Sequence, residues 1–132
     1  MSELECHNLN KADEKLIKLA QELLGKRYHP NRHTVAASLL CESGKIYTSI
    51  NIASHQYCSH AEPITIGAAI SNGDSSFVTI VSVERCVDGY IVIPPCGSCR
   101  QLLSDYAPNA FVIMSVGNKL AKVSVRDLLP NA

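Results

Sequence analysis

The chain of 132 residues has no excess of charge of either sign, no tryptophan and no long apolar run. Twelve Lys and Arg balance twelve Asp and Glu, so we expect neither a nucleic-acid partner nor a membrane partner. Without a run of about 18 apolar residues, no transmembrane helix is expected. The N-terminal segment is polar and acidic, which is not typical of a secretory signal and favours a cytoplasmic location.

Apolar residues are abundant instead, at 46% of the chain, and this length suits one domain with one core, over residues 1–132. Helical periodicity is present at 9–24, 63–72 and 95–106, and strand-like segments lie at 34–41, 45–52, 77–83, 90–93, 110–116 and 121–125. Helices that alternate with buried strands indicate an α/β layered fold, with a parallel crossover from 77–83 to 110–116. The hairpin formed by 34–41 and 45–52 makes the predicted sheet mixed.

Glycine and proline set the predicted limits of the helices. Gly25 is the expected end of the first helix and Gly73 that of the second. Pro63 lies where a helix tolerates proline, in the first turn, and it biases the preceding residue away from helix. Pro95 suits the first position of the third helix. These limits decide which side chains stand at helix starts.

Of the six cysteines, only two have the spacing of metal ligands. In a reducing cytoplasm, cysteines are most often ligands, catalytic thiols or buried apolar residues. Cys96 and Cys99 are three residues apart at a helix start, which puts both sulfurs on one side of the first turn, where the helix lowers thiol pKa values. A redox pair is the alternative interpretation. The remaining cysteines are interpreted as structural, namely Cys6, Cys41, Cys58 and Cys86.

His60 is the candidate third ligand, and Glu62 is a candidate acid–base group beside it. On a regular helix the two side chains would point about 200° apart and could not share one side. At the open N-terminal end, both can reach past the helix tip. A metal bound by His60, Cys96 and Cys99 would then lie over the ends of two helices, with Glu62 near it but not bound to it.

Zinc is the ion that this donor set favours. Two thiolates and one imidazole match its preference for S and N ligands, and three protein ligands leave a fourth position for water, as in catalytic sites. A carboxylate at Glu62 would take up a proton from that water and pass it to a ring nitrogen or a leaving amine. The alternative is a structural zinc whose fourth ligand is Cys58 or Cys41.

The layout H-x-E followed by P-C-x-x-C is the signature of zinc-dependent deaminases. The segments HAEPITIGAAISNG, PPCGSCRQLLSDYAPNAFVIM and RDLLP resemble the cytidine deaminase family, most of all its bacterial blasticidin-S deaminase branch. The resemblance spans roughly residues 33–129. It implies a three-layer α/β/α sandwich around a five-stranded mixed sheet, hydrolytic replacement of a ring amine by oxygen, a Zn²⁺ cofactor and a homotetramer. Carried over by motif, His60, Cys96 and Cys99 would bind the zinc and Glu62 would carry protons.

The same resemblance implies substrate contacts. The Ala61 backbone N–H would hold the ring oxygen, and the Pro95 carbonyl would receive the leaving amine. Asn51 would contact the ribose and His33 would stack on the pyrimidine, although a strand-end residue and a surface-loop histidine are the plainer interpretations. Ala53 stands where relatives have an acidic ribose contact, and the chain ends without the aromatic tail of many relatives. Neither cytidine nor blasticidin S is therefore singled out as the substrate.

The sequence thus predicts a zinc-dependent hydrolase. Its substrate would be a free nucleoside such as cytidine or deoxycytidine, or a cytosine nucleoside antibiotic such as blasticidin S. Two alternatives stay open. A tRNA or single-stranded DNA base deaminase shares the metal motif but should have a basic groove and stacking aromatics. A non-catalytic zinc-binding protein of the same fold would have no use for Glu62.

Overall fold

The structure, a computed structural model, describes residues 4–130. Its helices are α1 (Lys11–Arg27), α2 (Ala61–Ser71), α3 (Gly97–Tyr106) and α4 (Val125–Leu128). Its strands are β1 (Cys6–His7), β2 (Val35–Cys41), β3 (Ile46–Ile50), β4 (Ile52–Ala53), β5 (Cys58–Ser59), β6 (Phe77–Cys86), β7 (Gly89–Ile93), β8 (Phe111–Val116) and β9 (Lys119–Ser124). None of the helices in this part of the chain is long and apolar enough to cross a membrane.

One mixed sheet of seven strands has the order β1-β9-β8-β6-β2-β3, with β7 also paired to β6. β6 and β8 are parallel, with Ile80 opposite Val112, and α3 lies in the connection between them, as the crossover prediction required. β7 and β8 share one edge of β6, at different points along it. The mixed sheet is confirmed, but the expected count of five strands is too low. The turn at 87–88 returns β7 along β6, and β1 adds to β9.

Alternating side chains of the central strands separate the helices into two layers. Val81 of β6 packs with Leu16 of α1 on one face of the sheet. Ile80 points the other way, into a larger cluster with Ile66 of α2 and Leu103 of α3. The predicted three-layer α/β/α sandwich is confirmed, with α1 on one face and α2, α3 and α4 on the other.

The first helix begins with a full cap and runs past its predicted end. Asn10 and Asp13 form a capping box, and the buried Asp13 carboxylate also pairs with Lys122 at 3.1 Å. Gly25 does not end the helix, which continues to Arg27. A Cβ atom at Gly25 would lie 2.9 Å from the hydroxyl oxygen of Tyr90, so this glycine allows close packing against β7. The error arose because that contact comes from a distant part of the sequence.

Candidate metal centre and its pocket

Two helices of the same layer begin at the candidate site. His60 is the N-cap residue of α2 and Cys96 is that of α3, both with extended backbone dihedrals. Neither side chain makes a capping hydrogen bond, so the first N–H groups of both helices lack that partner. The prediction that Pro95 opens α3 is wrong, since Pro95 precedes the N-cap and the helix begins at Gly97.

The side chains of His60, Cys96 and Cys99 come together, with their ligand atoms all within 4.8 Å of one another. His60 Nδ1 lies 3.2 Å from the sulfur of Cys96 and 3.3 Å from that of Cys99. Tetrahedral zinc, with bonds of about 2.3 Å to sulfur and about 2.0 Å to nitrogen, would separate such ligands by roughly 3.6 Å. The donor set and its spacing therefore fit Zn²⁺ after shifts of a few tenths of an ångström.

Within residues 4–130, no further cysteine, histidine or acidic residue joins this cluster. Cys58 lines the neighbouring pocket without belonging to the group. Cys41 is buried in the apolar core, where burial and then the charge of Asp74 raise its pKa to about 11. Neither Cys58 nor Cys41 is therefore placed to act as a fourth ligand, and these residues do not form the alternative structural zinc site.

The two cysteines of the cluster differ in exposure, because Cys99 is buried whereas Cys96 is exposed. Burial raises the pKa of the Cys99 thiol above its ordinary value, and the charge of Glu62 raises it further. This direction is opposite to the lowering expected at a helix start, because burial disfavours the charged thiolate. A thiol with a raised pKa is a poor redox nucleophile, whereas a bound cation favours its thiolate. The metal interpretation is favoured over the redox pair.

Glu62 lies in the first turn of α2, where it is only 5% exposed and lines the same pocket as His60 and Cys96. Its charge acts on Cys99, so the carboxylate stands beside the cluster. Because His60 is an N-cap residue with an extended backbone, the separation of about 200° on a regular helix does not apply to it. The side chains of His60 and Glu62 therefore both line the pocket. The sequence predicted this juxtaposition, and the roles of the residues stay predictions.

A cavity of about 350 Å³ opens beside the cluster, and concave sites of this size suit small molecules. Its lining consists of Thr34, Val35, Asn51, Ile52, Ala53, Cys58, Ser59, His60, Ala61, Glu62, Glu84, Ile93, Pro94 and Cys96. Two of the predicted substrate contacts, Asn51 and Ala61, are part of this lining, whereas His33 and Pro95 are not.

Asn51 connects the pocket to the segment that leads into β2. Its side-chain oxygen accepts hydrogen bonds from the backbone N–H groups of Thr34 and Val35, at 2.8 and 3.0 Å. Its carbonyl oxygen is 2.9 Å from Nδ1 of His33. Asn51 is therefore a structural residue at a strand end and a pocket residue at once. His33 is held next to the pocket, and its stacking on a pyrimidine stays a prediction.

Pro95 is buried, and its carbonyl oxygen accepts a hydrogen bond from Nε of Arg100 at 2.9 Å. Nη1 of the same arginine lies 3.4 Å from the carbonyl oxygen of Leu128. Arg100 thus ties the segment before Cys96 to α4. Since a carbonyl oxygen can accept two hydrogen bonds, Pro95 keeps one acceptor position.

Glu84 is a pocket residue that the sequence pattern did not reveal. The predicted strand 77–83 ends three residues too early, since β6 runs to Cys86 and includes Glu84. Along β6, Glu84 has the same parity as Ile80, which packs toward α2 and α3, so both lie on the side of the sheet that holds the site. The two-residue alternation, continued to the end of β6, was the signal that could have found it.

Comparisons with known proteins point to one family. Residues 10–115 match the family described as the cytidine and deoxycytidylate deaminase zinc-binding region. A blasticidin-S deaminase of Bacillus cereus is 37% identical over 134 residues, which cover 96% of each protein. A cytidine deaminase of Sporosarcina psychrophila is 31% identical over 90% of this chain and 89% of its own. The crystal structure of cytidine deaminase from Burkholderia pseudomallei is similar with a TM-score of 0.76 at 27% identity, over 94% of this chain and 99% of that one.

Proposed function

The chain belongs to the cytidine and deoxycytidylate deaminase family, and from that premise we propose that it is a zinc-dependent hydrolase that removes the ring amine of a free cytosine nucleoside and releases ammonia. Its substrate is a cytidine-like nucleoside or a cytosine nucleoside antibiotic such as blasticidin S, the compound in the name of the Bacillus cereus relative. The observation that carries the proposal is the convergence of three ligand side chains and Glu62 at one wall of a small-molecule cavity.

His60 Nδ1 and the sulfurs of Cys96 and Cys99 would hold Zn²⁺. A bound zinc ion supplies Lewis-acid activation of the attacking water at neutral pH. Two thiolates and a neutral imidazole balance the charge of the cation, and the cation in turn stabilises the buried thiolate of Cys99. The exposed positions of His60 and Cys96 leave the substrate side of the cluster accessible from the pocket.

Glu62 would carry the protons of the reaction. Its carboxylate takes one proton as the water oxygen forms its bond to C4 of the cytosine ring, and it delivers that proton to the ring nitrogen N3. As the C4–N bond breaks, the second proton of the water passes to the amine, which leaves as ammonia while C4 becomes a carbonyl. Because Glu62 is only 5% exposed, bulk water is kept from competing for these protons.

Backbone groups at the two helix starts would orient the ring. The Ala61 N–H holds the ring oxygen, and the absence of a side-chain cap on α2 supports this role because the first N–H groups are not used by His60. The Pro95 carbonyl, which is not itself part of the cavity lining but lies between the lining residues Pro94 and Cys96, would receive the leaving amine at its remaining acceptor position. Asn51 would offer its side-chain N–H₂ group to the ribose, and His33 would stack on the ring.

We further propose that the protein is a cytoplasmic homotetramer whose subunits complete one another's pockets. Two apolar side chains near the pocket are exposed, Ile52 at 44% and Tyr57 at 63%. A neighbouring subunit that covered them would also cover the exposed side of the cluster. Light scattering on a sizing column tests this assembly, and a fully active monomer would contradict it.

Ammonia release from cytidine, deoxycytidine, cytosine, adenosine, guanine and blasticidin S tests the proposed reaction. We expect turnover of at least one cytosine nucleoside or of blasticidin S, and no turnover of adenosine or guanine. Activity found only on tRNA or single-stranded DNA would replace the free-nucleoside function by the polynucleotide alternative.

Glu62→Gln tests the proton carrier in the same assay. The variant should keep about one zinc per chain by elemental analysis and lose at least about 100-fold in kcat. Glu22→Gln, on the exposed face of α1, is the matched control and should behave as the wild type. A wild type without zinc, or a Glu62→Gln variant with undiminished kcat, would contradict the proposed mechanism.

A further inference from the structure

One wall of the pocket carries a carboxylate that the proposed reaction does not use. Glu84 is half-buried and lines the cavity. It pairs with Ile91 of β7, whereas Ser82 pairs with Ile93, after which the chain leaves β7 toward Cys96. Glu84 therefore lies two strand positions, about 7 Å, beyond the point where the chain turns toward the metal ligands.

The charge of Glu84 has no protein partner among residues 4–130. The salt bridge formed by residues in that part of the chain joins Lys122 to Asp13 and does not involve Glu84. The adjacent Arg85 stacks on Tyr28, with its guanidinium carbon 4.5 Å from the ring centroid. Because a half-buried carboxylate without a partner is unfavourable, its place in a cavity wall favours a donor group on a bound molecule as its partner.

The neighbours of Glu84 define which donor group fits. Val35 pairs with Glu84 across the sheet and donates its N–H to the side-chain oxygen of Asn51. With that oxygen occupied, Asn51 can only donate to a ligand, whereas Glu84 can only accept. Ala53, on the same lining, presents only a methyl group. Hydroxyl groups, which both donate and accept, match a wall that offers one donor residue and one acceptor residue.

We propose that Glu84 binds the vicinal hydroxyl groups of a ribose and so selects ribonucleosides over nucleosides that lack these hydroxyls. This inference rests on the proposed deaminase function and deepens it by naming the group that recognises the sugar. Glu84 takes no part in proton transfer, which belongs to Glu62. A change at Glu84 therefore acts on substrate binding and leaves the chemical step in place.

Steady-state kinetics of Glu84→Gln on cytidine and 2′,3′-dideoxycytidine test the proposal. For cytidine, KM should rise about 10- to 100-fold, as for a lost hydrogen bond to a charged acceptor, with kcat nearly unchanged. For 2′,3′-dideoxycytidine, the KM values of wild type and variant should agree. Glu84→Asp, which keeps the carboxylate on a shorter side chain, should fall between them, and Glu22→Gln should match the wild type.

Calorimetric binding of cytidine to Glu62→Gln protein, with and without Glu84→Gln, measures the same effect without turnover, and Kd should rise by the same factor. Equal losses on the two nucleosides, no loss at all, or a loss confined to kcat would overturn the role of Glu84 and leave the deaminase function standing. Wild-type activity on blasticidin S but not on cytidine would do the same. A wild type that deaminates none of these compounds would overturn both proposals.

Discussion

All four helices within residues 4–130 begin with an extended N-cap backbone, but only α1 has an N-cap side chain that makes a capping hydrogen bond. At α1, the side chain of Asn10 accepts a hydrogen bond from the Asp13 N–H and the Asp13 carboxylate accepts one from the Asn10 N–H, both at 2.9 Å. At α2 and α3, His60 and Cys96 make no such bond. A capping residue at such a position typically stabilises a protein by about 1 kcal/mol.

The difference separates α1 from the two helices that begin at the candidate metal centre. The start of α1 is closed by its own side chains and lies on the opposite face of the sheet from α2 and α3. The starts of α2 and α3 have no side-chain caps, and under the proposed function they would offer their first N–H groups to a substrate and their ligand atoms to a metal. Among the three longer helices, the one with a complete cap thus begins away from the pocket, and the two without a side-chain cap begin at it. The short helix α4 does not follow this division, since its N-cap residue Ser124 makes no capping hydrogen bond either.

The largest effect should follow from giving α3 a normal cap. Cys96→Ser places a strong N-cap residue at a ligand position. We expect zinc to be lost and kcat to fall by several orders of magnitude. After removal of metal with a chelator, however, the variant should be more stable than wild type treated in the same way, by about 0.5–2 kcal/mol. Elemental analysis, ammonia release and thermal denaturation measure these changes.

Cys96→Ala is the control, since alanine neither binds zinc nor caps a helix. It should lose zinc and activity as Cys96→Ser does, without the gain in stability. If the two metal-free variants were equally stable, a serine at the N-cap of α3 would not stabilise the helix, and the prediction would be wrong.

The second effect concerns the core under α1. Leu16 is fully buried and packs against Val81 and Ile113. Leu16→Ala should lower the free energy of unfolding by about 2–5 kcal/mol because it leaves a cavity. In urea denaturation the midpoint should fall, whereas kcat/KM at a temperature where the variant is folded should stay at the wild-type value. A parallel loss of kcat/KM would mean that the two faces of the sheet are not separable.

A smaller effect should follow from removing the cap of α1. Asn10→Ala removes one hydrogen bond of the capping box and should destabilise the protein by about 1 kcal/mol. Activity should not change, because α1 packs on the face of the sheet away from the pocket. Thermal denaturation and steady-state kinetics on one preparation check both statements. A change in KM without a change in stability would contradict them.

The smallest expected change in stability comes from a hydrogen bond between β3 and the segment that follows α2. There, Tyr47 donates to the carboxylate of Asp74 at 2.5 Å. This bond raises the pKa of Tyr47 from 10.0 to about 12 and lowers that of Asp74 from 3.8. Its stabilisation should be present near neutral pH, decline as the pH rises from 10.0 toward about 12, and also decline as the pH falls below 3.8. The difference in melting temperature between wild type and Tyr47→Phe should narrow at both extremes. A difference that is constant with pH would refute the coupling.

The cluster could be predicted from sequence because each part of it is local. The three-residue spacing of Cys96 and Cys99, and Pro63 in a first helical turn, fix two helix starts without long-range information. The crossover between parallel strands then brings the two starts together. His60 and Glu62 became neighbours for a local reason too, since one is an N-cap residue and the other lies in the first turn.

The features that sequence did not give depend on contacts between distant segments. Gly25 looked like a helix end because its packing partner, Tyr90, is far away in the chain. The raised pKa of the Cys99 thiol comes from burial, a property of the assembled core. Glu84 was missed because the pairing of β6 with β2 and β7 extends the strand beyond its apolar segment. The motif identified Asn51 as a candidate substrate contact. It did not predict that the Asn51 side-chain oxygen accepts hydrogen bonds from the backbone N–H groups of Thr34 and Val35.

The change of partners along one edge of β6 has a consequence for the order of assembly. Ser82–Cys86 pair with β7 in a short hairpin, whereas Thr79 and Ile80 pair with β8 only after α3 has crossed over. Contacts between near neighbours form sooner than those that close long loops. We expect a refolding chain to form the β6–β7 hairpin first and to position Cys96 and Cys99 last. Both thiols would therefore be exposed to solvent before they come close to His60. Pulse-labelled amide hydrogen exchange measures this order. Protection of the β8 amides before those of β7 would contradict it.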